Sequence, residues 1–462
     1  SSEQVQALVD AGMNVARINR SHGSAEEAEV LIGRVRAAAE ASGRPVAVLV
    51  DLQGPKIRLG TFVGDQKVKL DKGDEFTITI DDVLGTVKRV STTFKGLPGD
   101  CKPGDRLLID DGNVAVRVTA VTDTDVITKV EVPGYVSNHK GLNLPGVAVS
   151  VPALSEKDRE DLRWALTRAD ADMIALSFVR SASDIDDVHA IMDEVGVRLP
   201  VIAKIEKPQA VDKLFEIVSA FDGIMVARGD LGVEMPLEAV PLVQKRAIEL
   251  ARRQAKPVVV ATQVLESMIQ NPRPTRAEAS DCANAILDGA DAVMLSGETS
   301  VGAYPIEAVR TMASIIENVE EHGGERIPGL GSYPQTRGGA LTRAAAEMGE
   351  HLDVTYLVTF TQSGDTARRL SRLRSPLPLL AFTPLHETRN QLAVSWGVQC
   401  YEVPEVQHTD EMVAQVDEIL QDKHLAQPGD TVVIVAGMPP GTPGSTNSIR
   451  VHTVGETGDY KV

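Results

Sequence analysis

Apolar and polar positions follow two different rhythms along this chain. Over most of its length, short apolar runs alternate with longer segments in which apolar residues recur every three or four positions. The short runs are typical of buried parallel strands, and the longer segments are typical of the helices that cover them. The pattern predicts seven strands, at 13–18, 45–52, 173–178, 200–206, 223–227, 258–262 and 292–295.

The regular alternation of strands and helices indicates a parallel α/β sheet with right-handed crossovers. Seven strands are one short of a closed (β/α)8 TIM barrel. The chain opens inside a predicted helix, 1–12, so we expect the first barrel strand to lie upstream of Ser1. The alternative is an open doubly wound sheet, in which helices cover both faces.

One stretch departs from this pattern and divides the chain into domains. Between residues 60 and 145, Gly and Asp turns separate short alternating strands, which predicts a small all-β domain inserted into the α/β chain. A second α/β unit follows a Gly- and Pro-rich linker, with strands predicted at 355–360, 379–382, 431–435 and 449–454. The expected domains are a barrel at 1–59 and 146–322, a β insert at 60–145, a linker at 323–337 and an α/β domain at 338–462.

Composition excludes several classes of function. The 462 residues carry a net charge of −18, so the overall field does not favour nucleic acid. No apolar run reaches transmembrane length, and nothing resembles a signal peptide. Cys101, Cys282 and Cys400 are far apart and fit no metal spacing, which predicts free thiols in a reducing compartment. We therefore expect a cytoplasmic protein without a membrane or nucleic-acid partner.

Polar residues recur where the predicted strands end. Lys204 and Glu206 alternate on one strand and share a face, while Ile205 points into packing. A surface ion pair would explain these two residues alone, and caps or turns would explain the others singly. In a barrel, however, groups at the carboxyl ends of strands meet at one mouth. The polar residues at these ends are Arg17, Asn19, Ser21, His22, Asp51, Arg58, Lys204, Glu206, Arg228, Gly229, Asp230, Thr262, Gln263, Ser296 and Glu298.

Such a set of side chains suits phosphate chemistry with a metal. Glu206 and Asp230 follow consecutive strands and could bind Mg²⁺ or Mn²⁺. The tight Gly turn at 228–232, with Thr262 beside it, could seat a carboxylate on its backbone N–H groups. No Walker-type loop is present, so the set indicates phosphoryl transfer outside the P-loop class. The fixed cations that could neutralise phosphates are Arg17, Arg58 and Lys204.

Seven segments spread over the barrel and the insert are specific enough to carry a family resemblance: AGMNVARINRSHG (11–23), DLQGPKIRLG (51–60), NHKGLNLPG (138–146), VIAKIEKPQAV (201–211), GIMVARGDLGVEMP (223–236), ATQVLESMIQNPRPTRAE (261–278) and DAVMLSGETSVGAYP (291–305). Together they resemble the pyruvate kinase family. The resemblance implies a (β/α)8 barrel, an inserted β-barrel lid, a C-terminal α/β domain that often carries effector sites, and a homotetramer. It also implies glycolytic transfer of phosphate from phosphoenolpyruvate to ADP, giving pyruvate and ATP.

The resemblance also implies roles for single residues. Lys204 would neutralise the transferring phosphoryl group, and Arg17 would contact phosphate. The backbone N–H groups of Gly229 and Asp230 would seat the substrate carboxylate together with Thr262. A proton relay to the enolate could run near Thr262 and Ser296. The remaining implied positions are Glu206 and Asp230 for Mg²⁺, and Asn19, His22, Arg58 and Lys140 for the nucleotide.

One departure from the family pattern concerns potassium. Members that require K⁺ usually have Asp-Thr-Lys-Gly-Pro-Glu at the third strand end, whereas this chain has Asp-Leu-Gln-Gly-Pro-Lys at 51–56. The ammonium of Lys56 could supply the charge that K⁺ provides, as in the potassium-independent branch. Asn19, Ser21 and Asp51 still offer oxygen atoms to a monovalent ion. We therefore expect K⁺ to be dispensable.

The loop at 361–366, which opens a helix in the C-terminal domain, resembles the family's effector phosphate loop. The alternative is an ordinary capped helix. The residues expected to contact an effector phosphate are Thr361, Gln362, Ser363 and Thr366. The carboxylate of Asp365 would repel a second phosphate, so the pattern predicts a sugar monophosphate or AMP rather than a bisphosphate. The loop at 437–447 could close over this pocket.

Two other functions fit parts of the pattern. A metal-dependent aldolase or lyase that uses pyruvate enolate would also pair Glu206 with Asp230, but it does not explain Arg58, Lys140 or the β insert. A catalytically silent effector-binding protein has little support, because every expected catalytic position is filled.

Overall fold

The computed structural model describes residues 1–456. Its first helices are bounded by the caps that the sequence indicates. Ser24 and Glu27 form a capping box at the start of the second helix, and Gly43 ends it in the left-handed conformation. The first elements are α1 (Ser2–Ala11), β1 (Val15–Asn19), α2 (Ala25–Ser42) and β2 (Ala47–Asp51).

A β-rich insert follows β2. Its elements are β3 (Val68–Leu70), β4 (Glu75–Thr79), β5 (Arg89–Ser91), α3 (Leu97–Asp100), β6 (Arg106–Ile109), β7 (Val114–Val121), β8 (Asp125–Val132), β9 (Gly134–Val136) and β10 (Leu142–Asn143). They form a six-stranded sheet in the order β10-β6-β7-β8-β4-β5 and a two-stranded sheet, β3-β9. The insert has its own apolar core, which includes Phe62, Phe76 and Leu107. We call this insert the lid.

The α/β alternation then resumes as the sequence predicts, with two short helices, α8 and α11, that the sequence pattern did not indicate. The elements are α4 (Glu156–Thr167), β11 (Met173–Leu176), α5 (Asp184–Val195), β12 (Val201–Ile205), α6 (Pro208–Asp212), α7 (Leu214–Ala220), β13 (Gly223–Ala227), α8 (Arg228–Glu234), α9 (Val240–Arg253), β14 (Val258–Ala261), α10 (Arg276–Asp288), β15 (Ala292–Val293), α11 (Gly297–Ser300) and α12 (Pro305–Gly323).

The seven strands of this unit form one parallel sheet in the order β1-β2-β11-β12-β13-β14-β15. Alternate residues along each strand separate two apolar layers. Outward residues such as Val48, Ala203 and Ile205 pack against the helices, whereas inward residues such as Leu49 and Ile202 pack against one another. The helix α1 packs against the last helix, α12. The helices therefore ring one face of a curled sheet, which is a barrel arrangement and not a doubly wound sheet.

The C-terminal domain is a second α/β unit. Its elements are α13 (Arg337–His351), β16 (Tyr356–Phe360), α14 (Asp365–Ser371), β17 (Leu379–Thr383), α15 (His386–Gln391), β18 (Val398–Glu402), α16 (Thr409–Asp422), β19 (Thr431–Gly437) and β20 (Thr446–Thr453). The sheet order is β18-β17-β16-β19-β20, with β20 antiparallel. The sequence pattern missed β18, because this edge strand buries only Cys400 and its apolar signal is weak.

This domain closes the amino end of the barrel. Val394 belongs to the same apolar layer as the inward strand residues. The side chain of Asn390 donates a hydrogen bond to Asp172, which directly precedes β11, and the backbone N–H of Trp396 donates to Asp291, which precedes β15. The opposite, carboxyl end of the strands is therefore the end that faces the lid connections.

Candidate active site

Lys204 lies between two carboxylates at the carboxyl end of the barrel strands. Its Nζ atom is 3.1 Å from Oε1 of Glu206 and 3.3 Å from Oδ1 of Asp51. The side chain of Lys204 is 12% exposed and those of the two acids are 1% exposed. The surface-pair explanation of Lys204 and Glu206 is therefore wrong, because both groups lie inside the barrel mouth.

Asp51 joins this group to the first strand. Its Oδ2 atom accepts a 2.7 Å hydrogen bond from Nε of Arg17. The register of the two strands sets Asn19 beside Asp51, and the side-chain oxygen of Asn19 accepts a hydrogen bond from the N–H of Ser21. One buried carboxylate thus holds two cations, Arg17 and Lys204, at the same end of the sheet.

Ser177 and Phe178 also belong to this cluster, although the sequence analysis did not select them. The hydroxyl of Ser177 donates to the carbonyl oxygen of Leu52 at 2.7 Å and accepts a 2.9 Å hydrogen bond from Nζ of Lys204. The backbone N–H of Phe178 donates to Oε2 of Glu206 at 2.6 Å. The available signal was position, because both residues directly follow β11.

The turn at Phe178 requires a glycine opposite it. Phe178 has a φ of +55°, which is uncommon for an aromatic residue. A Cβ atom at Gly54 would lie 2.7 Å from both the Phe178 ring and Cβ of Ser177. Gly54 therefore lets the chain after β2 approach closely enough for Ser177 to bond Leu52.

Burial and charge act in opposite directions on this cluster. Burial raises the pKa of Glu206, and the charges of Asp230 and Asp51 raise it further, against the opposing effect of Lys204. Burial lowers the pKa of Lys204, but Glu206 and Asp51 outweigh this effect and raise it above its ordinary value. The residues fit a divalent cation, because a second positive charge beside Glu206 and Asp230 would offset their mutual repulsion. Two carboxylates leave most of its oxygen ligands to substrate and water.

The start of α8 faces the end of β14. The backbone N–H of Gly229 donates a 2.7 Å hydrogen bond to Oγ1 of Thr262, which itself donates to the carbonyl oxygen of Ala261. Thr262 has a φ of +70°. Arg228 braces this turn by donating to the carbonyl oxygen of Thr262 and to Asp281. The turn places the first N–H groups of α8 beside a fixed hydroxyl, which already accepts from that of Gly229, so a carboxylate seated here would replace the hydroxyl as its acceptor.

Other predicted site residues have separate partners. Nη1 of Arg58 donates to the carbonyl oxygen of His139, and Nζ of Lys140 lies 2.8 Å from Asp110, both within the lid and its connections. The side chain of Lys56 passes close to Gly141: a Cβ atom added at Gly141 would lie 3.0 Å from Cε of Lys56. His22 is exposed. The backbone N–H of Ser296 donates to the buried Glu298.

A buried carboxylate connects the lid to the barrel. Oε1 of Glu234, on α8, accepts hydrogen bonds from Nδ2 of Asn143 at 2.9 Å and from Nζ of Lys207 at 2.5 Å. Asn143 ends the last lid strand, and Lys207 follows β12 directly after Glu206. We call these three residues the lid latch.

The predicted effector loop lines an open cleft in the C-terminal domain. Thr361 accepts a hydrogen bond from the N–H of Gly364, and the hydroxyls of Thr366 and Thr446 are 2.7 Å apart. Gln362, Ser363 and Glu405 also line the cleft. So does the 440–446 part of the predicted closing loop.

Comparisons with known proteins agree with this architecture. The family profile "Pyruvate kinase, barrel domain" matches residues 1–309, and "Pyruvate kinase, alpha/beta domain" matches residues 339–452. A pyruvate kinase of Mycobacterium tuberculosis is 58% identical over 452 residues, which cover 98% of this chain and 95% of that protein. One of Corynebacterium glutamicum is 56% identical over 456 residues, covering 99% and 95%.

A solved structure gives the same result. The crystal structure of a pyruvate kinase from Cryptosporidium parvum matches with a TM-score of 0.91 at 33% identity, covering 98% of this chain and 93% of that one. In the part of the chain that the structure describes, no helix is long and apolar enough to cross a membrane. With both domain profiles and relatives above half identity over nearly the whole length, the chain belongs to the pyruvate kinase family.

Proposed function

We propose that the barrel mouth of this chain carries out the reaction of its family, the transfer of phosphate from phosphoenolpyruvate to ADP in glycolysis. The activity follows from family membership over 98% of the chain. The observation that supports this location is the position of Lys204, whose buried ammonium lies between Asp51 and Glu206. A fixed, largely desolvated cation acts strongly on a phosphoryl group that gains charge in transfer.

Lys204, Arg17 and Thr262 are the proposed catalytic residues. Lys204 neutralises the phosphoryl group during transfer, and Arg17 holds its oxygen atoms. Both cations are oriented by Asp51, so they need little reorganisation when substrate binds. The N–H groups of Gly229 and Asp230 seat the substrate carboxylate beside Thr262, and a proton relay to the enolate runs near Thr262 and Ser296.

Glu206 and Asp230 would hold Mg²⁺ or Mn²⁺. When bound, the ion supplies positive charge to the substrate carboxylate and to the enol oxygen that becomes negative. The chain's own contribution is to keep Glu206 fixed through the Phe178 N–H. The raised pKa of Glu206, caused by burial and by Asp230, supports this assignment.

The nucleotide is proposed to contact Asn19, His22, Arg58 and Lys140. Arg58 and Lys140 are on or beside the lid, so lid movement would carry them toward bound ADP. The ion pair of Lys140 with Asp110 keeps this cation oriented before the nucleotide arrives. Exchange of Asp110 for phosphate would cost little, because both groups are partly solvated.

Potassium is proposed to be dispensable. Asn19, Ser21 and Asp51 could offer oxygen atoms to a monovalent ion, but Asp51 already contacts two cations, Arg17 and Lys204. Lys56 adds a third positive charge on the chain that follows Asp51. These positive charges weaken the need for an added one.

The C-terminal cleft is proposed to bind a sugar monophosphate or AMP as effector, through Thr361, Gln362, Ser363 and Thr366. Asp365, which is paired with Arg369, and Glu405 line the cleft, and the charge of Glu405 in particular argues against a second phosphate. We also propose the domain boundaries predicted above, a homotetramer and a cytoplasmic setting. The setting is supported by Cys101, Cys282 and Cys400, which are free and buried.

A lactate-dehydrogenase-coupled assay tests the proposed site. We expect pyruvate to form from phosphoenolpyruvate only when ADP is present, whereas an aldolase or lyase would not need ADP. Lys204→Met should lower kcat about 1000-fold, the usual effect of losing a fixed electrostatic group. The control Lys213→Met changes an exposed lysine and should retain full activity. Equal activity of the two variants would contradict the assignment of Lys204.

A further inference from the structure

The loop that leaves β1 is held at both ends by one residue, Arg20. The backbone N–H of Arg20 donates to the carbonyl oxygen of Asp51 at 2.9 Å, and its Nη1 atom donates to the carbonyl oxygen of Ser24 at 3.1 Å. The three residues between Arg20 and Ser24 include His22, which is proposed above to contact the nucleotide. We call residues 20–24 the nucleotide loop.

The guanidinium of Arg20 is buried against α4. Its Nε and Nη2 atoms donate to Oδ1 of Asp161 at 3.2 and 3.1 Å, and its Cζ atom lies 4.8 Å from the centre of the Trp164 ring. The side chains of Arg20 and Asp161 are 5% and 9% exposed. A guanidinium in such a position has lost most of its water, and the carboxylate and the ring supply the compensating contacts. Arg20 therefore holds one fixed position against the helix.

Lys157, one turn before Asp161 on α4, connects the backbone of the nucleotide loop to the same carboxylate. Its Nζ atom donates to the carbonyl oxygen of Arg20 at 2.6 Å and to Oδ2 of Asp161. The side chain of Lys157 is 47% exposed, so removing it exchanges these contacts for water and leaves the pair of Arg20 with Asp161 in place. We call Arg20, Lys157 and Asp161 the loop anchor.

The same helix also holds the chain that leaves β2. The Oδ1 atom of Asp158 accepts a 3.0 Å hydrogen bond from the N–H of Gly54, and its Oδ2 atom accepts from the N–H of Ser155, which caps α4. Asp158 is fully buried. Gly54 lies on the chain that leads from β2 to Lys56 and Arg58. The first two turns of α4 therefore fix two segments that carry proposed nucleotide contacts.

We propose that the loop anchor positions the nucleotide loop for ADP, and that it raises the affinity for ADP by holding Asn19 and His22 near their bound arrangement. This inference rests on the function proposed above. The three anchor residues are positioning residues, because their contacts are with the loop, with one another and with Trp164. A loop that is ordered before the ligand arrives loses less conformational freedom on binding, so the ligand binds more tightly.

The loop anchor should act on ADP more than on phosphoenolpyruvate. The two cations proposed for the phosphoryl group, Arg17 and Lys204, are oriented by the side chain of Asp51 inside the barrel mouth. Loss of the anchor frees the nucleotide loop and leaves these two ion pairs intact. A general loss of structure would instead change kcat and the KM values of both substrates together.

Steady-state kinetics with each substrate varied in turn test the loop anchor. We expect the KM for ADP to rise at least about tenfold in Arg20→Met and about threefold in Lys157→Met, with little change in kcat or in the KM for phosphoenolpyruvate. Arg20→Lys keeps the charge but not the forked hydrogen bonding of a guanidinium, so its KM for ADP should be intermediate. The control Arg163→Met removes an arginine of the same helix that pairs with Glu194 and should match the wild type.

Calorimetric titration of the full-length protein with ADP and Mg²⁺ gives a second readout that needs no turnover. The Kd for ADP should rise by the same factors as the KM. A wild type that binds ADP but forms no pyruvate contradicts the proposed function and leaves the anchor testable by this titration. The anchor proposal is overturned if the wild type does not bind ADP, if both anchor variants bind ADP as the wild type does, or if kcat and both KM values change equally.

Circular dichroism and thermal unfolding check that each variant is folded. Arg20→Met leaves the carboxylate of Asp161 buried with one cation fewer, so it is the variant more exposed to loss of stability. Lys157→Met keeps the buried pair of Arg20 with Asp161 and carries the test if Arg20→Met does not fold.

Discussion

The hydroxyl of Ser177 lies 2.9 Å from the ammonium of Lys204 and at the same time donates to the carbonyl oxygen of Leu52. Ser177 thus connects the proposed catalytic lysine to the chain that leaves β2. We infer that it is a positioning residue, because its hydroxyl contacts Lys204 and Leu52. Removing the hydroxyl of Ser177 should change the position of the Lys204 ammonium but leave its charge in the site.

We expect Ser177→Ala to lower kcat about tenfold, since a hydrogen bond to a charged group contributes about 1.5–3 kcal/mol. The KM for phosphoenolpyruvate should change less, because the charge remains. Ser183→Ala is the control, since Ser183 is exposed and the hydrogen bond of its hydroxyl among the described residues is with that of Ser181. Steady-state kinetics of both variants measure the effect, and a kcat for Ser177→Ala equal to that of the control would argue against a positioning role.

If Glu206 and Asp230 bind the metal, replacing either one should change how the rate depends on the Mg²⁺ concentration. Asp230→Asn removes one of the two carboxylates, so we expect the Mg²⁺ concentration for half-maximal activity to rise at least about tenfold. Chelation of divalent ions should abolish activity, and Mg²⁺ or Mn²⁺ should restore it. Asp212→Asn changes an exposed carboxylate and should behave as the wild type. An unchanged Mg²⁺ dependence in Asp230→Asn would contradict the assignment.

Activity without potassium is expected to exceed half of the K⁺-saturated rate. The reason is the ammonium of Lys56 on the chain after Asp51, which already contacts Arg17 and Lys204. Rates in tetramethylammonium buffer measure this, and a drop of about a hundredfold would refute it; the substitution Lys56→Glu should make the rate depend on K⁺. The exposed Lys72→Glu variant controls for the change in net charge.

Ligand binding in the C-terminal cleft should distinguish one phosphate from two. Asp365 and Glu405 line the cleft, and Asp365 is already paired with Arg369 at 2.7 Å, which leaves Glu405 to repel a second phosphate. Titration calorimetry should detect binding of glucose 6-phosphate or AMP and weak or no binding of fructose 1,6-bisphosphate. Ser363→Asp should abolish binding by repulsion, while Ser363→Ala should retain most of it. Tight binding of the bisphosphate would show this interpretation to be wrong.

The lid latch should affect the nucleotide more than the other substrate. Asn143→Ala removes one of the two donors to Glu234, which connects the end of the lid to α8. We expect the KM for ADP to rise about tenfold, in line with the loss of a charged hydrogen bond, with a smaller change for phosphoenolpyruvate. Asn318→Ala, on the exposed side of α12, is the control. Equal changes in both KM values would instead indicate a general loss of structure.

The sequence predicted the parts of the site that depend on strand period and strand order. Lys204 lies on β12 and Glu206 directly follows that strand, so the two share a face, and the strand ends converge because the sheet is parallel and curled. Ser177 could not be selected in the same way. It meets Lys204 and Leu52 only because β11 pairs with β2 on one side and with β12 on the other. A local sequence pattern cannot predict such a register, because the paired strands are far apart in the chain.

Two other features show the same limit. The edge strand β18 carries one buried residue, so local apolar pattern is too weak to reveal it. Glu234 looks in the sequence like any acidic residue at the end of a helix. Its two partners lie 91 and 27 positions away in the chain. Its role depends on where the lid strand returns to the barrel, which is a property of the assembled fold.

The insertion of the lid between two neighbouring barrel strands also has a consequence for the order of folding. The hydrogen bond from the N–H of Val48 on β2 to Asp172 beside β11 joins residues 124 positions apart. Closing so long a loop costs entropy, and prior collapse of the intervening chain reduces that cost. The lid can collapse first, because it has its own apolar core. During synthesis, the edge of β2 that pairs with β11 therefore stays unpaired until β11 has been made, and the sheet can extend past β2 only then.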